Sequence, residues 1–137
     1  MGKAGSLETE TEAILYEHGV PHDPFSKAVE ACLPSLPFVI SEEELARRKD
    51  FRNITIVSVD PPGCTDIDDA LHCDLNADGT FEVGVHIADV SHFVRPGTAL
   101  DAEAARRCTT VYLADRRIDM IPSKWYAISI TYLLGVG

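Results

Sequence analysis

The chain has 137 residues, enough for one domain with a modest core, and its 22 acidic against 12 basic side chains leave a net charge of −10. That balance argues against a freestanding nucleic-acid binder, which presents a basic face to phosphates. It argues less strongly against an enzyme that reaches phosphates through metal ions, because each divalent cation cancels two acids. No apolar run approaches the length of a membrane span. The four cysteines, Cys32, Cys64, Cys73 and Cys108, form no C-x-x-C pair and follow no secretory signal, which predicts a reducing intracellular compartment. Met1 to Ser6 matches the myristoylation pattern, a short one that chance meets easily.

In chain order, Ser6 to Gly19 reads as a helix, with a serine cap, early acids, the run Ala13-Ile14-Leu15-Tyr16 and a terminating glycine. Pro21 and Pro24 end it, and a short helix from about Ser26 to Leu33 follows, bounded by Pro34 and Pro37. Ser41-Glu42-Glu43-Glu44 is a capping-box pattern, and Arg47-Arg48-Lys49 complements the far end of that helix. Residues 1–49 thus read as a helical connector, punctuated by prolines, leading to a sheet.

The segment Ile54-Thr55-Ile56-Val57-Ser58-Val59 is β-branched and apolar and predicts a buried strand. It runs out into four aspartates within ten residues, Asp60, Asp66, Asp68 and Asp69, wrapped around a Pro-Pro-Gly turn. Carboxylates so close repel, so a fold that gathers them must protonate some or place cations between them. A strand end with acids returning around a rigid turn suits a hard divalent cation such as Mg²⁺, which takes oxygen ligands. An EF-hand is excluded by spacing: counted from Asp66, Leu71 stands where the turn glycine belongs and Ala77 where the bidentate glutamate belongs. A merely solvated acidic loop does not explain why Ile67, Ala70 and Leu71 lie among the acids. A zinc site can be drawn from Cys64, His72, Cys73, His86 and His92, but none of these spacings is a recognised ligand pair.

Leu71-His72-Cys73-Asp74, the turn signal Asn76-Ala77-Asp78-Gly79 and the run Phe81 to Ala88 predict a hairpin. Phe81, Val83, Val85 and Ile87 alternate onto one face, expected to pack on the core, and Asp89 follows at a second strand end. A helix is expected from about Thr98 to Arg107 with Leu100, Ala104 and Ala105 inward, then a strand over Thr109 to Leu113 and a short extended piece over Ile118 to Pro122. The fold class these elements imply is α+β, a mixed or antiparallel sheet with flanking helices. Beyond Pro122 the character changes: residues 123–137 carry one charge in fifteen, against about one in four elsewhere, and hold the only tryptophan. Their β-branched and aromatic content permits a final strand, while the compositional shift suits foreign sequence that packs poorly on this core.

Three motifs carry a resemblance: Ser58 to Cys73 with its aspartate spacing, Glu82-Val83-Gly84-Val85-His86-Ile87-Ala88-Asp89-Val90-Ser91-His92-Phe93, and Thr110-Val111-Tyr112-Leu113 followed by Arg117 to Pro122. Together, in this order and at this separation, they resemble the start of the catalytic domain of the ribonuclease II (RNB) family, nearest its eukaryotic exosome-associated branch. The stretch Val20 to Ser26 resembles the connector that joins the cold-shock-like domains of that family to the catalytic domain. The resemblance divides the chain into a connector over 1–49, the front of an RNB catalytic domain over 50–122 and an off-family tail over 123–137.

By that resemblance Asp60, Asp66, Asp68 and Asp69 correspond to the magnesium-binding quartet, with Asp68 at the most catalytically sensitive position and Mn²⁺ an alternative ion. Tyr112 corresponds to the tyrosine that stacks on terminal nucleotides of RNA. The implied activity is hydrolysis of single-stranded RNA from its 3′ end to nucleoside 5′-monophosphates. The implied partners are RNA and exosome core subunits, with no membrane, in the nucleus or cytoplasm. The family's leucine-rich continuation, its downstream RNA clamps, its phosphate-assisting arginine and its basic S1-type domain have no counterpart after Pro122. The alternative reading is therefore a truncated, non-catalytic fragment or interaction module.

Overall fold

Three serines open the first three helices in the same way, each accepting a hydrogen bond from the backbone amide three residues on. Ser6 caps α1 (Leu7–Glu17) through the Thr9 amide, Ser26 caps α2 (Lys27–Glu30) through Val29, and Ser41 caps α3 (Glu42–Arg47) through Glu44 at 3.2 Å. The Glu44 carboxylate of the capping-box pattern takes up Arg48 at 2.6 Å. The computed structural model describes residues 5–64 and 67–124. Asp66, most of the predicted myristoylation pattern and the tail from Trp125 onward lie outside the described residues.

The strands are β1 (Asp69–Leu75) and β2 (Phe81–Ile87), followed by α4 (Val90–Phe93), α5 (Ala99–Arg107), β3 (Val111–Tyr112) and β4 (Arg117–Ile118). β1 and β2 form one antiparallel pair, and β3 and β4 another. This is the expected α+β class. Among the described residues no helix is long and apolar enough to cross a membrane.

The chain divides into two compact units. The first joins Met1–Leu33 to Val94–Ser123. Its core is Leu15 from α1, Val29 from α2, Leu100 and Ala104 from α5, and Ile121. Thr98 caps α5 through the Asp101 amide. The inward face of α5 differs from expectation: Ala105 is exposed, and Arg107 is buried instead. Its guanidinium donates to the carbonyls of Asp23 and Asp119 and to Glu103, and lies 4.0 Å over the Phe25 ring. A buried arginine is tolerable when every face of its fork is occupied in this way.

The second unit joins Pro34–Phe93 to Lys124–Gly137 and contains the hairpin. Asn76 and Thr80 close the turn, with Gly79 at φ +85°, a backbone region that favours glycine. The predicted buried strand over Ile54 to Val59 does not form: it reduces to one antiparallel bridge, Val57 to Leu71, and Val57 and Val59 are 51% and 83% exposed. β-branched residues favour strands because they bury side chains against a covering layer, and these two remain mostly open to water.

The hairpin alternates as expected, but the covered face is the opposite one. Phe81, Val83, Val85 and Ile87 are 62–71% exposed, as is Leu75. The partly shielded face carries Ala70, His72, Gly84 and His86, against which Phe51 packs. Period-two alternation decides which residues share a face; the elements that arrive from elsewhere decide which face is covered.

Candidate functional site

Asp60 leaves the Val57 bridge and enters a tight turn. The Cys64 amide donates to the Pro61 carbonyl at 3.1 Å, with Pro62 at the second position and Gly63 at the third, φ +85°. That is the residue choice of a type II turn. Val57 and Leu71 exchange both backbone hydrogen bonds, at 2.9 and 2.8 Å. The bridge is isolated, and Asp60 lies three residues beyond Val57 while Asp68 lies three before Leu71. From the other side the Ala88 amide donates to the Asp68 carbonyl at 2.8 Å, extending the β1–β2 ladder beyond Asp69 and Ile87.

The carboxylates have contrasting environments. Asp68 and Asp69 are exposed at the head of β1. Asp60 is half-buried, and its Oδ2 is shut away from solvent with no hydrogen-bond donor among the described residues. A buried carboxylate oxygen without a donor is costly unless a proton or a cation meets it. The donor chemistry therefore suits a hard cation at Asp60. Among the described residues no three His, Cys, Asp or Glu side chains are grouped closely enough to hold an ion. The fourth acid, Asp66, lies outside the described residues, and the convergence of the whole quartet with it.

The five residues of the drawn zinc site do not assemble either. His72 and His86 meet, Nδ1 to Nε2 at 2.7 Å, but Cys73 points to the other face of the hairpin with Val83. Tyr112 stands on β3, paired with Arg117 and 67% exposed.

One cluster near the site was not singled out from the sequence. Asp89 follows β2 and accepts from Arg48 at 2.7 Å, from the Ser91 hydroxyl and from the His92 amide. Burial pushes its carboxyl up, but these three donors outweigh burial and hold it below the ordinary carboxylate range. Arg48 also binds Glu44, so α3 is tied to the loop after β2. The Arg47-Arg48-Lys49 run was a cue to helix capping alone; the partner, forty-one residues away, carries no local signal.

An α+β fragment with an aspartate-wrapped turn beside a hairpin defines a class. A model of the RNB domain matches residues 48–131, and the chain belongs to the RNB family. It is 62% identical over 122 residues to the exosome complex exonuclease RRP44 of Mus musculus and, to the same degree, of Homo sapiens. It is also 49% identical over 122 residues to the DIS3-like exonuclease 2 of Schizosaccharomyces pombe. In each case the match takes in 89% of this chain but 13% of the relative. Among solved structures, the apo form of Mycoplasma genitalium RNase R superposes with a TM-score of 0.77 at 25% identity, over 92% of this chain and 19% of that one. The same enzyme in complex with double-stranded RNA gives the same TM-score and identity, over 22% of its chain.

Proposed function

We propose that residues 50–122 are the aspartate-bearing segment of a magnesium-dependent 3′-to-5′ exoribonuclease, one that hydrolyses single-stranded RNA to nucleoside 5′-monophosphates and acts with the exosome in the nucleus or cytoplasm. The observation that carries this reading is the buried oxygen of Asp60, which has no hydrogen-bond donor among the described residues. Asp60, Asp66, Asp68 and Asp69 would hold the ion, with Mn²⁺ able to replace Mg²⁺. Bound magnesium contributes Lewis-acid activation of water and neutralisation of charge on the scissile phosphate. The chain's own part is positional. The Pro-Pro-Gly turn would return the acids toward Asp60, and the Ala88 amide holds the backbone of Asp68. Tyr112, exposed on β3, offers an aromatic surface for a terminal base.

By itself the 137-residue chain is proposed to be inactive. Its net charge of −10 works against the phosphate contacts that supply most of the affinity for RNA. Two experiments test the two parts. Residues 50–122, exchanged for the matching segment of the mouse relative, are expected to sustain 3′-shortening of a labelled single-stranded RNA in Mg²⁺, and Asp68→Asn is expected to abolish it. An inactive exchange protein that folds normally would overturn the reading. The isolated chain is expected to leave the same RNA intact, and a ladder of 3′-shortened products, lost in Asp68→Asn, would show that the fragment suffices.

A further inference from the structure

Asp89 stands shortly after β2, and its carboxylate joins two parts of the second unit. Oδ1 accepts from the Ser91 hydroxyl at 3.0 Å and from the His92 amide at 3.1 Å, at the start of α4. Oδ2 accepts from Nη2 of Arg48 at 2.7 Å. Among these donors only Arg48 comes from outside the Asp89 loop, forty-one residues back in the chain. Its Nε is held in turn by Oε1 of Glu44 at 2.6 Å, and the His92 ring stands 3.6 Å from that same oxygen. A ring of four residues thus closes, from Glu44 to Arg48 to Asp89 to His92 and back. A guanidinium that donates through separate nitrogens to two carboxylates fixes the direction of both.

The residue before Asp89 carries this anchorage to the acid cluster. Ala88 is buried, its carbonyl accepts from the Val90 amide at 2.8 Å, and its amide donates to the Asp68 carbonyl at 2.8 Å. Asp68 lies just outside β1, which begins at Asp69, and this hydrogen bond ties it to the end of β2.

We propose that Arg48 is a positioning residue for the ion site: acting through Asp89 and the Ala88 amide, it sets where Asp68 stands at the head of β1. The inference rests on the reading that Asp68 holds a divalent cation. Such an ion rewards a fixed ligand, because Mg²⁺ demands near-ideal octahedral geometry. Groups that orient a metal ligand from behind it govern affinity by about 10–100-fold without touching the ion.

The test uses the whole chain, titrated with Mg²⁺ and Mn²⁺ by calorimetry, with amide exchange followed by NMR in metal-free buffer. Arg48→Gln and Asp89→Asn are each expected to raise the dissociation constant about tenfold. Each is also expected to speed exchange at the Ala88 amide several-fold. The Asn76 amide, bound to the Thr80 carbonyl at the far end of the hairpin, keeps its rate. Asp89→Asn retains an oxygen for Ser91 and His92 but turns an amide group to Arg48, so it breaks the tie and spares the start of α4. It therefore decides the matter if Arg48→Gln unfolds.

The direction of the shifts separates positioning from charge. By charge alone, losing the cation at Arg48 tightens binding and losing the anion at Asp89 loosens it, whereas positioning loosens both. The double variant is expected to bind no more weakly than either single one, because each removes the same link. Arg48→Lys, whose ammonium reaches one carboxylate in place of two, recovers part of the affinity. Arg52→Gln, which deletes an equal charge paired with Asp50, leaves both readouts at their wild-type values. Opposite shifts in the two single variants, or an Ala88 amide whose exchange does not respond, would overturn the inference while wild-type binding stands. A wild type that binds neither ion overturns the metal reading itself, and the inference with it.

Discussion

Val57 and Leu71 exchange both of their backbone hydrogen bonds, and this single bridge ties the segment that leads into Asp60 to the strand headed by Asp69. It is the only pairing that joins the Ile54–Val59 segment to the hairpin among the described strands. Asp60 follows three residues after this bridge and directly precedes the Pro61 to Cys64 turn, where Gly63 has φ +85°.

Asp60→Asn is expected to act in opposite directions with and without metal. In metal-free buffer it removes a charge whose Oδ2 is buried without a donor, so thermal stability holds or rises. With Mg²⁺ or Mn²⁺ at one hundred times the dissociation constant, the wild type gains about 2.7 kcal/mol from a single site, and the variant loses that gain. Thermal denaturation across a metal titration reads both effects. A wild type indifferent to either ion would count against the site.

Gly84 has no room for a side chain. A Cβ there would lie 2.0 Å from Cε1 of His72, whose ring is buried and meets both His86 and Phe51. Gly84→Ala therefore forces the ring or the strand to move, at about 1–3 kcal/mol, the usual cost of overpacking. Urea denaturation is expected to show the loss. His72→Ala in the same background, which empties the space, is expected to restore part of it.

Arg107 cannot be replaced by lysine without loss. Its guanidinium serves two carbonyls, Glu103 and the Phe25 face at once, a combination that requires a planar fork. Arg107→Lys leaves at least one part-buried carbonyl without its donor, which costs about 1 kcal/mol. Calorimetric melting of the two proteins measures the difference, and an unchanged midpoint would refute the account.

Glu103 makes the first unit sensitive to acid. Hydrogen bonds from Arg106 and then Arg107 hold its carboxyl at about 2, against an ordinary value of 4.5. A carboxyl depressed on folding contributes stability that is complete above its unfolded value and disappears as pH falls through the folded one. The loss is thus expected between pH 4.5 and about 2. Glu103→Gln lowers stability at neutral pH and makes this acid limb shallower. It does not flatten the limb, because Asp23, bound by Arg106, and Asp89, whose donors outweigh its burial, are also held low. Urea midpoints collected across this range give the slope.

Much was legible before any coordinates. Ser6 and Ser41 announced their helices because a cap acts on an amide three residues away, and the helices expected from about Ser26 and Thr98 open on caps of the same kind. Pro62 and Gly63 announced their turn for a similar reason: their conformational restrictions are their own. The spacing of the aspartates and the motifs around His86 and Tyr112 were enough to place the chain in its family. What the sequence left open was decided by parts of the chain distant from one another. Phe51 covers the His72 and His86 side of the hairpin, so Phe81, Val83, Val85 and Ile87 face outward. Arg107 lies inside because carbonyls at Asp23 and Asp119 converge on it, and Arg48 finds Asp89 across forty-one residues. Caps and turns are settled within a few residues of backbone, whereas burial depends on which segments meet, and period-two alternation is equally satisfied by either face of a strand.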